Sequence, residues 1–272
     1  NSGATTFGAQ LEIPVTSATI PGVVLGEING DGLVDVVIGY GDGVIWYSNN
    51  VTEADDMQFA ASPTIYDNLK TYIVLAADLN GDAAPDIIFA DNDEAEVVWI
   101  ANDGSGTFSS VPQVVASGAS ATTIYSIAPG DIDNNGDVDL VWTGATSGLY
   151  WARNLGRGQF DEPVAIASNV FGPIVVADIN HDGLVDIVHG RLINNSPSFY
   201  LNLGGTFAPP VDLGLSSAFT RHARMGDVTG DGLDDLIVGA SGDDPNGSSS
   251  GAAFVVYGKT DGGVVELSAV EA

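Results

Sequence analysis

Asp178-Ile-Asn-His-Asp-Gly-Leu-Val-Asp186 is a tight acidic turn that runs directly into a β-branched stretch, and the chain repeats it five times. The other copies are Glu27-Ile-Asn-Gly-Asp-Gly-Leu-Val-Asp35, Asp78-Leu-Asn-Gly-Asp-Ala-Ala-Pro-Asp86, Asp131-Ile-Asp-Asn-Asn-Gly-Asp-Val-Asp139 and Asp227-Val-Thr-Gly-Asp-Gly-Leu-Asp-Asp235. Successive starts are 51, 53, 47 and 49 residues apart. Two further features keep that beat. An aromatic residue precedes an Asn by three positions at Trp46 and Asn49, Trp99 and Asn102, Trp151 and Asn154, and Phe199 and Asn202. A Phe then opens the next segment at Phe7, Phe59, Phe108, Phe160 and Phe207. An acidic turn and a Phe in phase five times, with the aromatic and Asn four times, make an internal repeat.

Each repeat reads as four short strands. An apolar run such as Ile174-Val-Val-Ala177 precedes the acidic turn, and a run such as Val34-Asp-Val-Val-Ile38 follows it. The Trp-bearing strand is third, and the fourth follows the Phe, as in Val164-Ala-Ile-Ala167. Runs of this length between Gly, Asn and Asp suit strands and not helices. Four strands in about fifty residues is the size of a propeller blade. The expected fold is therefore all-β: a β-propeller of four-stranded antiparallel blades with five repeats visible. Residues 1–272 form one domain, in units of approximately 7–58, 59–107, 108–159, 160–206 and 207–263. Phe7 to Ile13 is a candidate for the outer strand of the last blade, closing the ring. Val264-Val-Glu-Leu-Ser268 is a second candidate for the same role.

Oxygen-bearing side chains at positions 1, 3, 5 and 9 of each turn, with the carbonyl of position 7, can surround one hard cation. The expected ligands are Glu27, Asn29, Asp31, Leu33 and Asp35 in the first turn, and Asp78, Asn80, Asp82, Ala84 and Asp86 in the second. Asp131, Asp133, Asn135, Asp137 and Asp139 form the third set, with Asp137 adding a side chain. Asp178, Asn180, Asp182, Leu184 and Asp186 form the fourth, and Asp227, Thr229, Asp231, Leu233 and Asp235 the fifth. Carboxylates without Cys favour Ca²⁺ over Zn²⁺ or Cu²⁺, and up to five ions are expected. An EF-hand is excluded, because position 12 is Ile38, Phe89, Trp142, His189 or Val238 instead of a bidentate Glu. One Asp-Gly turn is explained by backbone hydrogen bonding alone. Five in register are not. Ala83 stands where the other turns have Gly, at a cost of about 1 kcal/mol if that position is left-handed.

Composition narrows the partners. With 36 acidic and 7 basic residues the net charge is −29, which repels nucleic acid and anionic membranes. Apolar residues at 44% separate the chain from acidic disordered sequences. There is no Cys, so a disulfide framework and a thiolate metal site are both excluded. No apolar run is long enough to insert in a membrane, and no leader pattern lies at Asn1.

The strongest stretch, Asp227-Val-Thr-Gly-Asp-Gly-Leu-Asp-Asp-Leu-Ile-Val-Gly-Ala240 with Gly251 to Lys259, resembles the FG-GAP repeat of integrin α-subunit propellers. The other units resemble its VCBS variety, of the form Trp-x-x-Asn-x-Gly-x-Gly-x-Phe. The resemblance runs from Phe7 to about Lys259. It implies calcium held between the first two strands of a blade, an extracellular or cell-surface setting, and a recognition or adhesion role. Integrin-type propellers have seven blades, so five motifs leave the blade number open. In such propellers ligands meet the face opposite the calcium loops. Candidates there are Tyr72, Tyr125 and Arg221, each six residues before its acidic turn, with Asp91, Asp93, Glu94, Arg191, Asn194, Asn195 and the Asp243 to Ser250 loop. Aromatic and amide groups suit a glycan, giving a lectin-like reading, although blade packing is the plainer and preferred account of the tyrosines. Trp46, Trp99 and Trp151 repeat in register and are expected between blades. No Gly-x-Ser-x-Gly or His-Glu-x-x-His motif occurs. A propeller-fold polysaccharide lyase or hydrolase remains the alternative.

Overall fold

In a computed structural model of the chain, every acidic turn joins the first two strands of a four-stranded antiparallel sheet. The structure describes residues 13, 22–40, 43–50, 59–67, 71, 73–121, 123–144, 148–170, 172–190, 198–212, 220–230, 235–240, 252–257 and 267–270. The first sheet contains β1 (Gly22–Gly26), β2 (Asp35–Tyr40), β3 (Gly43–Asn49) and β4 (Phe59–Asp67). The second contains β5 (Val74–Ala77), β6 (Asp86–Asp91), β7 (Glu96–Ile100) and β8 (Gln113–Ser117). The third has β9 (Ile124–Gly130), β10 (Asp139–Gly144), β11 (Gly148–Ala152) and β12 (Val164–Ala167). The fourth has β13 (Ile174–Ala177), β14 (Asp186–His189), β15 (Ser198–Tyr200) and the two-residue β16 (Val211–Asp212). The fifth has β17 (Thr220–Gly226), β18 (Asp235–Ala240), β19 (Ala252–Val256) and β20 (Leu267–Val270).

The strands of each sheet pair in chain order, so each blade is one stretch of sequence. The protein is an all-β propeller of such blades. β20 pairs with β19, so the fourth strand of the fifth blade takes in Leu267 and Ser268 of the carboxyl-terminal candidate and runs on to Val270. Of the competing segment only Ile13 is described. It packs beside Val36, Ile38 and Tyr47 of the first blade. First strands lie side by side, β1 against β5, β9 against β13 and β13 against β17. The second strand is covered on both faces: every residue of β6 and β10 is buried. This accounts for the unbroken apolar runs after each acidic turn.

The core sits between blades. One cluster joins Ile28, Val37 and Trp46 of the first blade to Val74, Ile87 and Phe89 of the second. Equivalent clusters join the second blade to the third and the third to the fourth. The repeated Trp46, Trp99 and Trp151 are 5%, 4% and 9% exposed, which places them in packing as expected. Each lies under the glycine turn of the next blade. A Cβ at Gly106 would fall 2.7 Å from the Trp46 ring, and one at Gly205 would fall 3.3 Å from that of Trp151. Gly158 approaches Trp99 even more closely. Phe108 completes the first of these seams, edge-on to Trp46 at 6.4 Å between centroids. The Gly-x-Gly-x-Phe part of the repeat therefore belongs to the blade that follows the Trp it covers.

Candidate metal centre

The acidic turn is built by its own carboxylates. The side chain at position 1 accepts backbone N–H groups from positions 4 to 6: Asp78 takes those of Gly81, Asp82 and Ala83 at 2.7, 3.2 and 2.8 Å. Asp131 takes Asn135 and Gly136, and Asp178 takes Asp182 and Gly183. Glu27, one methylene longer, still reaches Gly30 and Asp31 through Oε1 at 2.6 and 3.1 Å. In the first, second and fourth turns the Asn at position 3 accepts from position 5, as Asn80 does from Asp82 at 2.9 Å. These bonds need two left-handed residues. Position 4 has φ of 78° at Gly30, 80° at Gly81, 58° at Asn134, 57° at His181 and 77° at Gly230. Position 6 is likewise left-handed at Gly32, Gly136 and Gly183, and at Ala83 with φ 70°. The condition attached to Ala83 is met. The demand at position 4 was readable from its run of Gly, Gly, Asn, His and Gly, but was not drawn from the sequence.

Position 9 is different. Asp35, Asp86, Asp139, Asp186 and Asp235 have no exposed surface. Oδ2 of each accepts the N–H of position 2, from Ile28, Leu79, Ile132, Ile179 and Val228, at 2.8–3.1 Å. In the first four blades Oδ1 accepts the N–H of the Asn that follows the aromatic strand: Asn49, Asn102, Asn154 and Asn202. Burial raises the pKa of all four of these acids, against those hydrogen bonds. Asp86 and Asp139 are pushed up to about 6. Asp35 and Asp186 shift the same way.

The Asn side chain then reaches across the seam. Asn102 Nδ2 donates to the carbonyl of Ile28, Asn154 Nδ2 to that of Leu79, and Asn202 Nδ2 to that of Ile132, at 2.9, 2.8 and 2.6 Å. Each acceptor is position 2 of the preceding blade's acidic turn. Sequence reading identified the Asn as part of the repeat but not as a latch, because its partner lies about seventy residues away.

Only in the third turn, among the described residues, do three carboxylates converge. Asp131, Asp133 and Asp139 each bring an oxygen within 4.8 Å of the others. This turn alone has Asp instead of Asn or Thr at position 3. Arg153 forms an ion pair with Asp133 Oδ2, while Asp133 Oδ1 is buried with no hydrogen-bond partner. Trp151 Nε1 donates to Asp139 Oδ2 at 3.1 Å. An all-oxygen donor set with an unpaired buried carboxylate oxygen fits a hard divalent cation. Asp137 stands outside the convergence, its carboxyl beside Gly156. Asp231 and Leu233 lie outside the described residues.

FG-GAP-like repeats match residues 27–89, 78–142 and 131–189, and an FG-GAP repeat matches residues 219–256. The chain belongs to the FG-GAP repeat family. Each of the three FG-GAP-like matches opens on position 1 of an acidic turn and ends in the second strand of the following blade. The family unit thus spans a seam, taking in the Trp, the Asn latch and the glycine turn together. Among solved structures, one of an Agrocybe aegerita lectin, on specific recognition of non-reducing terminal N-acetylglucosamine, aligns with 90% of the FG-GAP chain and 65% of its own. The TM-score is 0.64 at 22% identity. The V. cholerae biofilm matrix protein Bap1 aligns with 92% of the chain and 38% of its own, with a TM-score of 0.50 at 18% identity. The chain spans less than two thirds of either structure, and the likeness is one of fold. No curated protein matches the sequence.

On the opposite end of the blades, Tyr125 is 47% exposed near the start of β9. The β6–β7 turn lies beside it, since Asn92 Oδ1 accepts the Ile124 N–H at 2.9 Å. Asp91 is buried and holds that turn by accepting from Asp93 and Glu94, whose own side chains are exposed. Burial and the neighbouring Asp91 and Glu94 raise the pKa of Glu96. Tyr72, Arg191, Asn194, Asn195 and Asp243 to Ser250 lie outside the described residues. For Arg221 only the backbone, in β17, is described.

Proposed function

We propose that this FG-GAP chain is a calcium-stabilised extracellular recognition module that binds a glycan at the blade ends opposite its acidic turns. The observation that carries the metal part is the convergence of Asp131, Asp133 and Asp139, together with the unpaired buried Oδ1 of Asp133. The first, second and fourth turns share the same left-handed backbone at positions 4 and 6, and binding in the other turns adds the Asn or Thr oxygen at position 3 and the position 7 carbonyl. Calcium would supply charge neutralisation. The seventeen carboxylates of the five turns repel one another, and five ions would offset ten of the 29 net negative charges. The chain's residues do the rest: in the first four blades position 9 ties the turn to its aromatic strand, and the Asn latch ties each of the first three turns to the next blade.

Recognition is supported by the propeller likeness to a lectin and by the surface around Tyr125. An exposed aromatic face suits the apolar face of a sugar ring, and Asp93 and Glu94 beside it are hydroxyl acceptors. Terminal N-acetylglucosamine is the first glycan to try. The test is a glycan array run in calcium and in chelator, with the products of soluble polysaccharides analysed alongside. The account expects retention of glycans without turnover, weakened by Tyr125→Ala. An array without binding overturns the glycan reading, and new reducing or unsaturated ends would establish the enzyme instead.

A further inference from the structure

The third acidic turn carries its charge at different positions from the others. Position 3 is Asn29, Asn80, Asn180 or Thr229 elsewhere and Asp133 here; position 5 is Asp31, Asp82, Asp182 or Asp231 elsewhere and Asn135 here. A carboxylate has in effect moved from position 5 to position 3. The residue before the latch Asn changes in the same blade. Ser48, Ala101 and Leu201 hold that place in the first, second and fourth blades, and Arg153 holds it in the third. The two departures meet in space, because the Arg153 guanidinium forms an ion pair with Asp133 Oδ2.

Position 5 also works differently here. Asp31, Asp82 and Asp182 accept the position 7 N–H through Oδ1, and each has a second carboxylate oxygen. Asn135 Oδ1 accepts the Asp137 N–H at 2.7 Å, but its other arm is a donor, and Nδ2 gives its proton to the Asn154 carbonyl at 3.2 Å. The turn is thereby tied to the residue next to Arg153. Asp133 lies against the fourth blade, where a Cβ at Gly205 would fall 3.3 Å from its own. Its side chain is only 10% exposed, whereas that of Arg153 is 46% exposed. A carboxylate so nearly buried is costly without a counter-charge, and Arg153 supplies one.

We propose that Arg153 is a tethered counter-cation of the third turn, which compensates Asp133 when no metal is bound and opposes calcium binding there. This rests on the reading of the acidic turns as calcium sites and sets how one of them is tuned. The guanidinium holds Oδ2 of a carboxylate that a metal would also use, and it repels any divalent ion brought beside it. The third turn therefore keeps its shape without calcium and fills at a higher calcium concentration than the same turn without Arg153. No basic residue stands at this place in the first, second or fourth blade.

Terbium is the probe, because a nearby indole sensitises its luminescence and Trp151 Nε1 donates to Asp139 Oδ2 at 3.1 Å. The wild type, Arg153→Gln and Arg153→Lys are titrated with terbium under tryptophan excitation. The component missing from Trp151→Phe belongs to the third turn. Arg153→Gln should tighten that component by about tenfold, the scale of repulsion between a unit charge and a divalent ion at a solvated edge. Arg153→Lys keeps the charge and should stay near the wild type. In chelator Arg153→Gln should melt below the wild type, and saturating calcium should close the gap; these melts need no variant of the buried Trp151. Unchanged or weaker terbium binding in Arg153→Gln overturns the proposal, as does melting equal to the wild type in chelator. A Trp151-dependent component absent from every protein would instead overturn the metal reading of this turn, and the role of Arg153 with it.

Discussion

Ala83 shows how much a single residue can reveal about an acidic turn. Its φ of 70° is one a side chain adopts at a cost, and the other described turns use Gly at this position. Ala83→Gly should stabilise the protein by about 1 kcal/mol, read as a rise in the midpoint of urea unfolding. Asn154 carries a different weight. Its amide serves the Leu79 and Val138 carbonyls and its backbone N–H serves Asp139. Asn154→Ala leaves buried acceptors unpaired and should cost about 1–3 kcal/mol. Asn49→Ala, whose amide serves Val34 within its own blade, should cost less in the same urea titration. The ligand pattern at positions 1, 3, 5 and 9 was legible because acidic and amide side chains recur in phase. The structural use of position 9 was not, since a buried Asp and an exposed one look alike in sequence.

At the scale of the element, the seam is the unit of packing, and its glycines are set by contact as well as by backbone conformation. Gly106 has φ 78° and its Cβ would strike the Trp46 ring at 2.7 Å, while Gly204 has φ 85° and open space around it. Gly204→Ala therefore reports the left-handed cost alone. Gly106→Ala adds displacement of a buried indole and should be worse by about 1–3 kcal/mol. Equal losses in the two variants would mean that the Trp does not depend on the glycine turn. Strand number and strand order followed from the sequence because each is local to one repeat, and the burial of Trp46, Trp99 and Trp151 followed from their recurrence in register. The fourth strand of the last blade did not. Phe7 to Ile13 and the run near Leu267 carry the same apolar pattern, and only pairing with β19 distinguishes them.

For the whole molecule, five acidic turns set against a net charge of −29 make stability depend on protons and cations together. Asp86 and Asp139 have pKa values of about 6 in the folded chain, above the unfolded value of about 3.9. At pH 7.5 both are ionised whether folded or unfolded, and the folded state bears the burial cost. As pH falls through about 6 the folded state takes up protons first, so that cost is relieved and stability rises. In chelator, the melting temperature should therefore be higher at about pH 5.5 than at pH 7.5. With calcium present the same change should bring a smaller gain or a loss, because protons then compete with the ion. The burial of a turn residue was beyond sequence reading: Val228 and Ile28 are similar residues, yet one is 55% exposed and the other fully buried, through what lies beside them.

The most direct test of the fastening role is thermal unfolding at pH 7.5 in millimolar calcium and again after chelation. An ion that binds only the folded chain stabilises it by about 2.7 kcal/mol per site at a hundredfold excess over its dissociation constant. The account predicts a lower melting temperature after chelation, restored when calcium is returned. Identical melting in calcium and in chelator would contradict it.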